Sequence, residues 1–271
     1  MKFPAKEMIR QRKSVRSFDG TPLRRSDRAA LEAFAQTQTN PFGVPVEFRL
    51  LDAKEHGLSS PVIAGAEAYL AAKVKREKHF EIAWGYSFEA ACLYAASLGV
   101  GTVILAASLS RGAVEKALEV QPGEVMPAAS PVGYPAAKRT IRDNLMRKGL
   151  KADERLDFEA LFYDGAFGSA LSKEQADDFA EALELARWAP SATNKQPWRA
   201  VVCGNTVHFY EAQSMKESPL GDIQKVDVGI FLCHFDLTMQ ENGHEGRFFD
   251  SDPGLAVPAN VHYIISYEKT K

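Results

Sequence analysis

The sequence shows a weak internal similarity, and this similarity constrains the fold more than any single motif does. Leu23–Asp52 and Leu171–Gly204 each contain an amphipathic helical pattern, a loop with a proline, and a run of β-prone residues. The β-prone runs are Val46–Leu51 and Trp198–Cys203, and the second segment has four extra residues in its loop. A shared order of elements indicates that the chain contains two similar units.

Two further pairs of segments recur in the same order. Gly85 and Gly99 enclose one apolar helical pattern, and Gly229 and Gly243 enclose another with the same spacing of 14 residues. Each predicted helix is followed by a Pro-Ala pair and strand-like residues, in Met126–Pro135 and Val257–Tyr267. Ser26 and a capping box of Ser172 and Gln175 are candidate starts for the earlier helices.

The recurring order predicts an α+β fold with two similar halves, in which helices surround antiparallel-biased sheets. We place the first half at residues 1–135, a connector at 136–170 and the second half at 171–271. The connector begins with a charged, helix-permissive run and ends in the glycine-rich, turn-like stretch Phe162–Ala170. The alternative interpretation is a chance likeness between amphipathic helices.

Composition restricts the function classes. The 271 residues carry a net charge of −2, with 45% hydrophobic and 25% charged residues, which is typical of a globular protein. A nearly neutral chain has no overall attraction to nucleic acid or to anionic membranes. Cys92, Cys203 and Cys233 are too few and too widely spaced for a disulfide framework, so we expect buried thiols. The longest apolar run, Gly99–Leu109, is too short to span a bilayer, and the N-terminus has no apolar signal region. We therefore expect a soluble, cytoplasmic protein.

Three segments concentrate groups that could bind a ligand. Arg10–Arg16 combines four cations with a serine, which suits a phosphate group, although a solvated basic N-terminus or a nucleic-acid patch would look the same. Ala189–Trp198 holds serine, threonine, asparagine and glutamine between two prolines, which favours a rigid loop for a polar planar ligand over a simple capped turn. Gly133–Arg139 ends in a Lys-Arg pair, a weak signal because such pairs are usually solvated.

No motif for side-chain catalysis is visible. The sequence lacks the glycine-rich dinucleotide and P-loop patterns, the HExxH zinc pattern and the GxSxG nucleophile pattern. The six histidines have no metal-ligand spacing, and we expect His234 to be a packed residue. Polar donors and cations without a proton-transfer set indicate a bound cofactor that performs the chemistry, and we predict no metal.

These segments resemble the FMN-dependent nitroreductase family. The matching stretches are RQRKSVRSFDG, GYSFEAACLYAASLGVGT, PVGYPAAKR, APSATNKQPWRAVV and DVGIFLCHF, of which the APSATNKQPW loop is the most specific. The usual family member is a homodimer with FMN at the interface. Here the basic RQRKSVRSFDG stretch occurs only in the first half. The APSATNKQPW loop occurs only in the second half, and Asn40–Pro45 takes its place in the first half. The chain is thus similar to single-chain nitroreductases in which two fused halves form a pseudo-dimer, which implies one cofactor site per chain.

The resemblance also implies which residues contact FMN. The arm and the late Lys-Arg pair would hold the phosphate and ribityl chain, residues 105–107 would offer backbone donors to the flavin ring, and the loop would line that ring. Lys13 stands where the family has arginine, and Ala106 and Ala107 stand where it often has glycine. The implied cofactor-binding residues are Arg12, Lys13, Ser14, Arg16, Leu105, Ala106, Ala107, Lys138, Arg139, Pro190, Ser191, Ala192, Asn194 and Gln196. No side chain is implied as catalytic, and Arg16 would give electrostatic support.

The implied activity is an FMN-dependent oxidoreductase. NAD(P)H would donate hydride to the flavin and leave, and a small electrophilic acceptor such as a nitroaromatic or a quinone would then take the electrons. One alternative is a non-catalytic flavin-binding carrier or sensor. Nucleic-acid binding through the basic N-terminus is disfavoured by the net charge of −2 and by the lack of interleaved aromatic residues. We expect a functional monomer, with further oligomerisation open, and no nucleic-acid or membrane partner.

Overall fold

Two five-stranded sheets, formed by successive parts of the chain, frame the molecule. The computed structural model describes residues 3–138 and 140–271, so Arg139 lies outside the described residues. The strands are β1 Val46–Asp52, β2 Ala68–Lys75, β3 Gly101–Thr102, β4 Glu124–Val125, β5 Ala129–Gly133, β6 Phe162–Asp164, β7 Trp198–Cys203, β8 Thr206–Ala212, β9 Gly246–Phe249 and β10 Val261–Lys269. The first sheet has the order β1-β2-β5-β3 with β4 beside β2, and the second has the order β6-β7-β8-β10-β9. Among these named strands only β6 and β7 pair in parallel, so the predicted α+β class with antiparallel-biased sheets is confirmed.

Helices lie between and around the sheets. They are α1 Ala5–Gln11, α2 Arg25–Gln36, α3 Phe80–Ser97, α4 Arg111–Ala117, α5 Ile141–Gly149, α6 Phe158–Leu161, α7 Ala180–Arg187 and α8 Ile223–Glu241, with short 3₁₀ turns at Asp177–Phe179 and Ala192–Asn194. Within the described part of the chain, no helix is both long enough and apolar enough to cross a membrane.

The long helices α3 and α8 pack directly against each other in the core. Both are buried on nearly every side, which explains why their sequences are apolar all round rather than amphipathic. A Cβ at Gly85 would meet the backbone of Val226 and one at Gly229 would meet the backbone of Ile82, so each glycine lies where one helix touches the other. Cys92 and Cys233 are buried in these helices, while Cys203 is only half-buried.

The glycines do not enclose the helices as predicted. Gly85 lies five residues after the start of α3, and Gly229 lies six residues after the start of α8. These positions need glycine because the two helices touch there, not because the chain turns. Gly99 and Gly243 do follow the helix ends, with positive φ angles of 74° and 84°. That left-handed conformation is the usual way to end a helix, so these two predicted boundaries are confirmed.

Two predicted helix starts differ from the structure. The Ser26 cap is wrong: α2 begins at Arg25, and the Ser26 hydroxyl donates to Asp27 Oδ1 at 3.2 Å inside the helix. The Ser172 capping box forms both of its hydrogen bonds, of 3.0 and 3.2 Å, with Gln175. However, Asp177 has a φ of 47°, and this left-handed residue delays the α-helix until Ala180.

Two of the strands lie in segments for which the sequence analysis predicts no strand. β2 lies in the stretch between β1 and α3, where the sequence analysis predicts no strand, yet it is central to the first sheet and buried except at Lys75. Since both of its faces are covered, its sequence lacks the alternation of a half-buried strand. In the connector, the predicted turn Phe162–Ala170 begins with β6, which extends the second sheet by pairing with β7.

Candidate functional site

The basic arm, defined here as Arg12–Phe18, runs along the end of the first sheet. The Val15 amide donates to the Thr102 carbonyl at 2.9 Å, at the end of β3. The Ser17 carbonyl accepts a hydrogen bond of 2.9 Å from the Ala136 amide, just after β5. The arm is therefore fixed by backbone bonds to two strand ends.

The arm side chains have different surroundings. Lys13 and Ser14 lie at the surface end of the arm, where Ser14 is half-buried. The Arg16 guanidinium is largely buried, with Nη1 3.6 Å from Asp143 Oδ1 in the connector. Its Nε and Nη1 form no hydrogen bond with any described residue, and burial lowers the pKa of this arginine. Lys138, two residues beyond Ala136, is exposed at the same end of the sheet.

Arg12 is drawn into the interface between α3 and α8. Its Nε lies 3.0 Å from Glu89 Oε1, and that oxygen is also 2.9 Å from His234 Nε2. All three side chains are buried. His234 is therefore packed, as the sequence predicts, and Arg12 is anchored to the core by a carboxylate rather than extended into solvent.

The Pro190–Gln196 loop of the second half has a strained backbone. Thr193, Asn194 and Gln196 have φ angles of 50°, 57° and 49°, and such left-handed conformations are costly for a β-branched residue like threonine. The loop is fixed from two sides: Ser191 Oγ accepts from the Gln196 amide at 2.9 Å, and the Ala192 amide donates to Asp227 Oδ2 at 2.9 Å. Strain of this kind is often found at ligand sites.

The connector joins the loop to the arm. Asn194 Nδ2 donates to the Lys151 and Glu154 carbonyls at 2.8 and 3.1 Å, and Gln196 Oε1 accepts from the Leu156 amide at 2.9 Å. At the other end of this segment, Arg147 approaches the arm, with Nη1 3.5 Å from the Ser14 carbonyl oxygen. The structure thus brings the predicted arm and the predicted loop together through a segment that the sequence presents only as a linker.

Two connector arginines belong to this region and were not among the predicted site residues. Arg147 is buried beside Ser14, and Arg155 Nη1 lies 3.5 Å from Asn194 Oδ1. Burial first, and then the nearby charges of Arg12 and Arg187, lower the pKa of Arg155 to about 10. Its Nε is buried without a hydrogen-bond partner among the described residues. The sequence signal that could have identified these two arginines is the density of cations in the charged connector run.

Leu105, Ala106 and Ala107 lie just beyond the strand end that holds the arm. Leu105 exchanges two backbone hydrogen bonds with Ala129, of 2.8 and 3.1 Å. Its amide is therefore committed to the sheet. The Ala106 carbonyl accepts from Arg111 Nη2 at 2.7 Å, and Ala107 is exposed.

Solved structures with similar folds are nitroreductases and related proteins. The chain matches a nitroreductase from Thermotoga maritima, described as putative, over 98% of its own length and 93% of the other chain, with 18% identity and a TM-score of 0.65. A structure from Bacteroides thetaiotaomicron, described as a putative NADH dehydrogenase/NAD(P)H nitroreductase, matches 52% of this chain and 91% of its own, with 19% identity and a TM-score of 0.42. An iodotyrosine deiodinase with bound FMN and 3-iodo-L-tyrosine matches 50% of this chain and 92% of its own, with 15% identity and a TM-score of 0.41.

No curated protein matches the chain significantly. The first of these structures shows that the whole chain has a nitroreductase fold, as the resemblance implied. The model of the family described as "Putative TM nitroreductase" matches residues 5–239, which is most of the chain. The chain therefore belongs to this nitroreductase family.

Proposed function

We propose that the protein is an FMN-dependent oxidoreductase that takes electrons from NAD(P)H and passes them to small electrophilic acceptors such as nitroaromatics or quinones. The observation that carries the proposal is the Arg16 guanidinium, whose buried Nε and Nη1 have no hydrogen-bond partner among the described residues. Unpaired buried donors are costly unless a ligand satisfies them. A phosphate group offers several acceptor oxygens and a negative charge, so it fits these two donors of Arg16.

The residues have distinct roles in the proposed site. Arg16, Ser14 and Lys13 would bind the phosphate and ribityl chain, with help from Lys138 and Arg139 after β5 and from Arg155 in the connector. The Pro190–Gln196 loop would contact the flavin ring through its strained backbone and through the side chains of Ser191, Asn194 and Gln196, while Pro190 and Ala192 would exclude water. When bound, FMN would supply the hydride acceptance and donation, so no protein base is needed.

Fused halves would explain why one chain holds both parts of the site. The arm precedes β1 and the loop precedes β7, and α3 and α8 meet through glycines at reciprocal positions. This arrangement supports the proposed pseudo-dimer of residues 1–135 and 171–271, joined by the connector 136–170. In that case the isolated chain is a functional monomer with a single FMN site. We also propose that it acts in the cytoplasm, without a nucleic-acid or membrane partner.

A non-catalytic flavin carrier or sensor is the second candidate. It is favoured by the connector, which contacts the predicted site residues Ser14, Asn194 and Gln196 and would leave less room beside them for an electron acceptor. The two candidates differ in whether bound flavin turns over with NAD(P)H and an acceptor.

Turnover of the FMN-loaded chain tests the proposal. We expect NADH or NADPH to bleach the flavin absorbance without oxygen, and a nitroaromatic or quinone to restore it. N194A should weaken FMN binding about tenfold, because it removes the side-chain hydrogen bonds that fix the loop to the Lys151 and Glu154 carbonyls. The control N205A changes an exposed asparagine in the β7–β8 turn and should leave binding unchanged. Binding without bleaching would favour the carrier or sensor, and absence of flavin binding would refute both.

A further inference from the structure

Helix α5 presents its polar side to the protein and its apolar side to solvent. Asp143 and Arg147, one turn apart, are only 3% and 8% exposed. Ile141 and Leu145, also one turn apart, are 81% and 66% exposed. Covering a leucine or isoleucine side chain typically contributes about 1.5–3 kcal/mol, and α5 forgoes this contribution at both positions. Hydrophobic packing therefore does not hold α5 in its place.

Polar contacts with the arm hold the helix instead. The Thr140 amide donates to Ser17 Oγ at 3.1 Å, and Asp143 Oδ2 accepts from the same hydroxyl at 3.5 Å. The Asp143 carboxylate also faces the Arg16 guanidinium, with 3.6 Å between the nearest nitrogen and oxygen. At the last turn, Arg147 reaches the Ser14 carbonyl only at 3.5 Å.

These contacts are incomplete. Asp143 Oδ1 and Arg16 Nη1 are both buried, and neither forms a hydrogen bond with a described residue. A buried ion pair stabilises a structure only when hydrogen bonds satisfy its remaining atoms. The pair between Asp143 and Arg16 therefore holds α5 weakly, and a better acceptor for Arg16 would replace Asp143.

We propose that helix α5, with Thr140 before it, is a displaceable lid, and that Asp143 acts as an internal anion that occupies Arg16 until a phosphate-bearing ligand replaces it. This inference rests on the proposed function and adds a regulation of the same site. A phosphate group carries more negative charge than a carboxylate and has three acceptor oxygens. It would satisfy the free guanidinium donors of Arg16 and repel Asp143, so ligand binding and opening of the lid are coupled.

The coupling has a measurable consequence for affinity. A ligand that must displace an internal competitor binds more weakly, in proportion to the fraction of open protein. D143N removes the charge and keeps the size of the side chain, so we expect it to bind FMN about fivefold more tightly than the wild type. D157N is the matched control, because Asp157 is an exposed connector residue whose side chain forms no capping hydrogen bond.

Hydrogen exchange of the α5 amides reports the lid directly. Without ligand, we expect α5 of D143N to exchange about fivefold faster than α5 of the wild type or of D157N. FMN should accelerate exchange in wild-type α5 while it slows exchange in the arm. Equal exchange in D143N and wild type, or slower exchange in α5 on adding FMN, would overturn the lid.

A second ligand separates failure of the lid from failure of the proposed function. If none of the three proteins binds FMN, the flavin proposal fails, and inorganic phosphate at constant ionic strength then serves as the probe. Acceleration of α5 exchange by phosphate, compared with chloride, would support a lid released by phosphate. Identical exchange in both salts would overturn it.

Discussion

Alanine at Gly85 or at Gly229 is expected to lower the free energy of unfolding by about 3 kcal/mol. The new Cβ at Gly85 would fall on the Val226 carbonyl and lie 3.1 Å from the Ile230 amide, and the Cβ at Gly229 would lie 2.7 Å from Ile82 Cα. Both obstacles are backbone, so α3 and α8 must move apart along their buried contact. In an ordinary helix the same substitution adds up to ~1 kcal/mol of stability, which makes the expected sign diagnostic.

Gly112→Ala is the control for both variants. Gly112 lies inside α4, the position that a Cβ would take there has no neighbouring atom within 4 Å, and its backbone needs no positive φ, so alanine should be neutral or stabilising. Urea unfolding, monitored by circular dichroism, gives all three free energies. If G85A and G229A were as stable as G112A, the two helices could not be in the close contact described here.

Arg16→Ala is expected to weaken FMN binding about 100-fold, because each charge-assisted hydrogen bond contributes roughly 1.5–3 kcal/mol. Arg16 has two buried donor nitrogens without partners among the described residues and is positioned by backbone bonds on both sides of the arm. R16K keeps the charge and loses the planar fork, so its loss should be intermediate. Fluorescence titration of FMN measures all three affinities.

Arg10→Ala provides the control for charge alone. Arg10 lies in α1, before the arm begins, and its exposed side chain pairs with Glu181. An exposed pair contributes little, so R10A should bind FMN with wild-type affinity and fold normally. Equal binding by R16A and the wild type would remove the arm from the proposed phosphate site.

Local sequence signals predicted β1 and β7, because each is a run of β-prone residues after a proline. β7 has the predicted bounds, and β1 ends one residue later than predicted. β2 was not predicted, because burial on both faces removes the alternation of polar and apolar residues that identifies a strand. The start of α3 was not predicted correctly, because Gly85 is required by the contact with α8 and not by a turn.

The same distinction applies to the candidate site. The arm and the Pro190–Gln196 loop were predicted because each concentrates its polar groups within a few residues. Their connection could not be predicted, because Arg16 and Asp143, or Lys151 and Asn194, meet only through the tertiary fold. The commitment of the Leu105 amide to Ala129 likewise follows from sheet pairing and has no local sequence signal.

The number of FMN molecules bound per monomeric chain tests whether the arm of one half and the loop of the other form one site. The purified protein is saturated with FMN, separated from free flavin by size exclusion with mass measurement, and heated to release the flavin for quantification. We expect one FMN per 29.8 kDa monomer. Two FMN per chain, binding only by a dimer, or no bound flavin at saturation would contradict it.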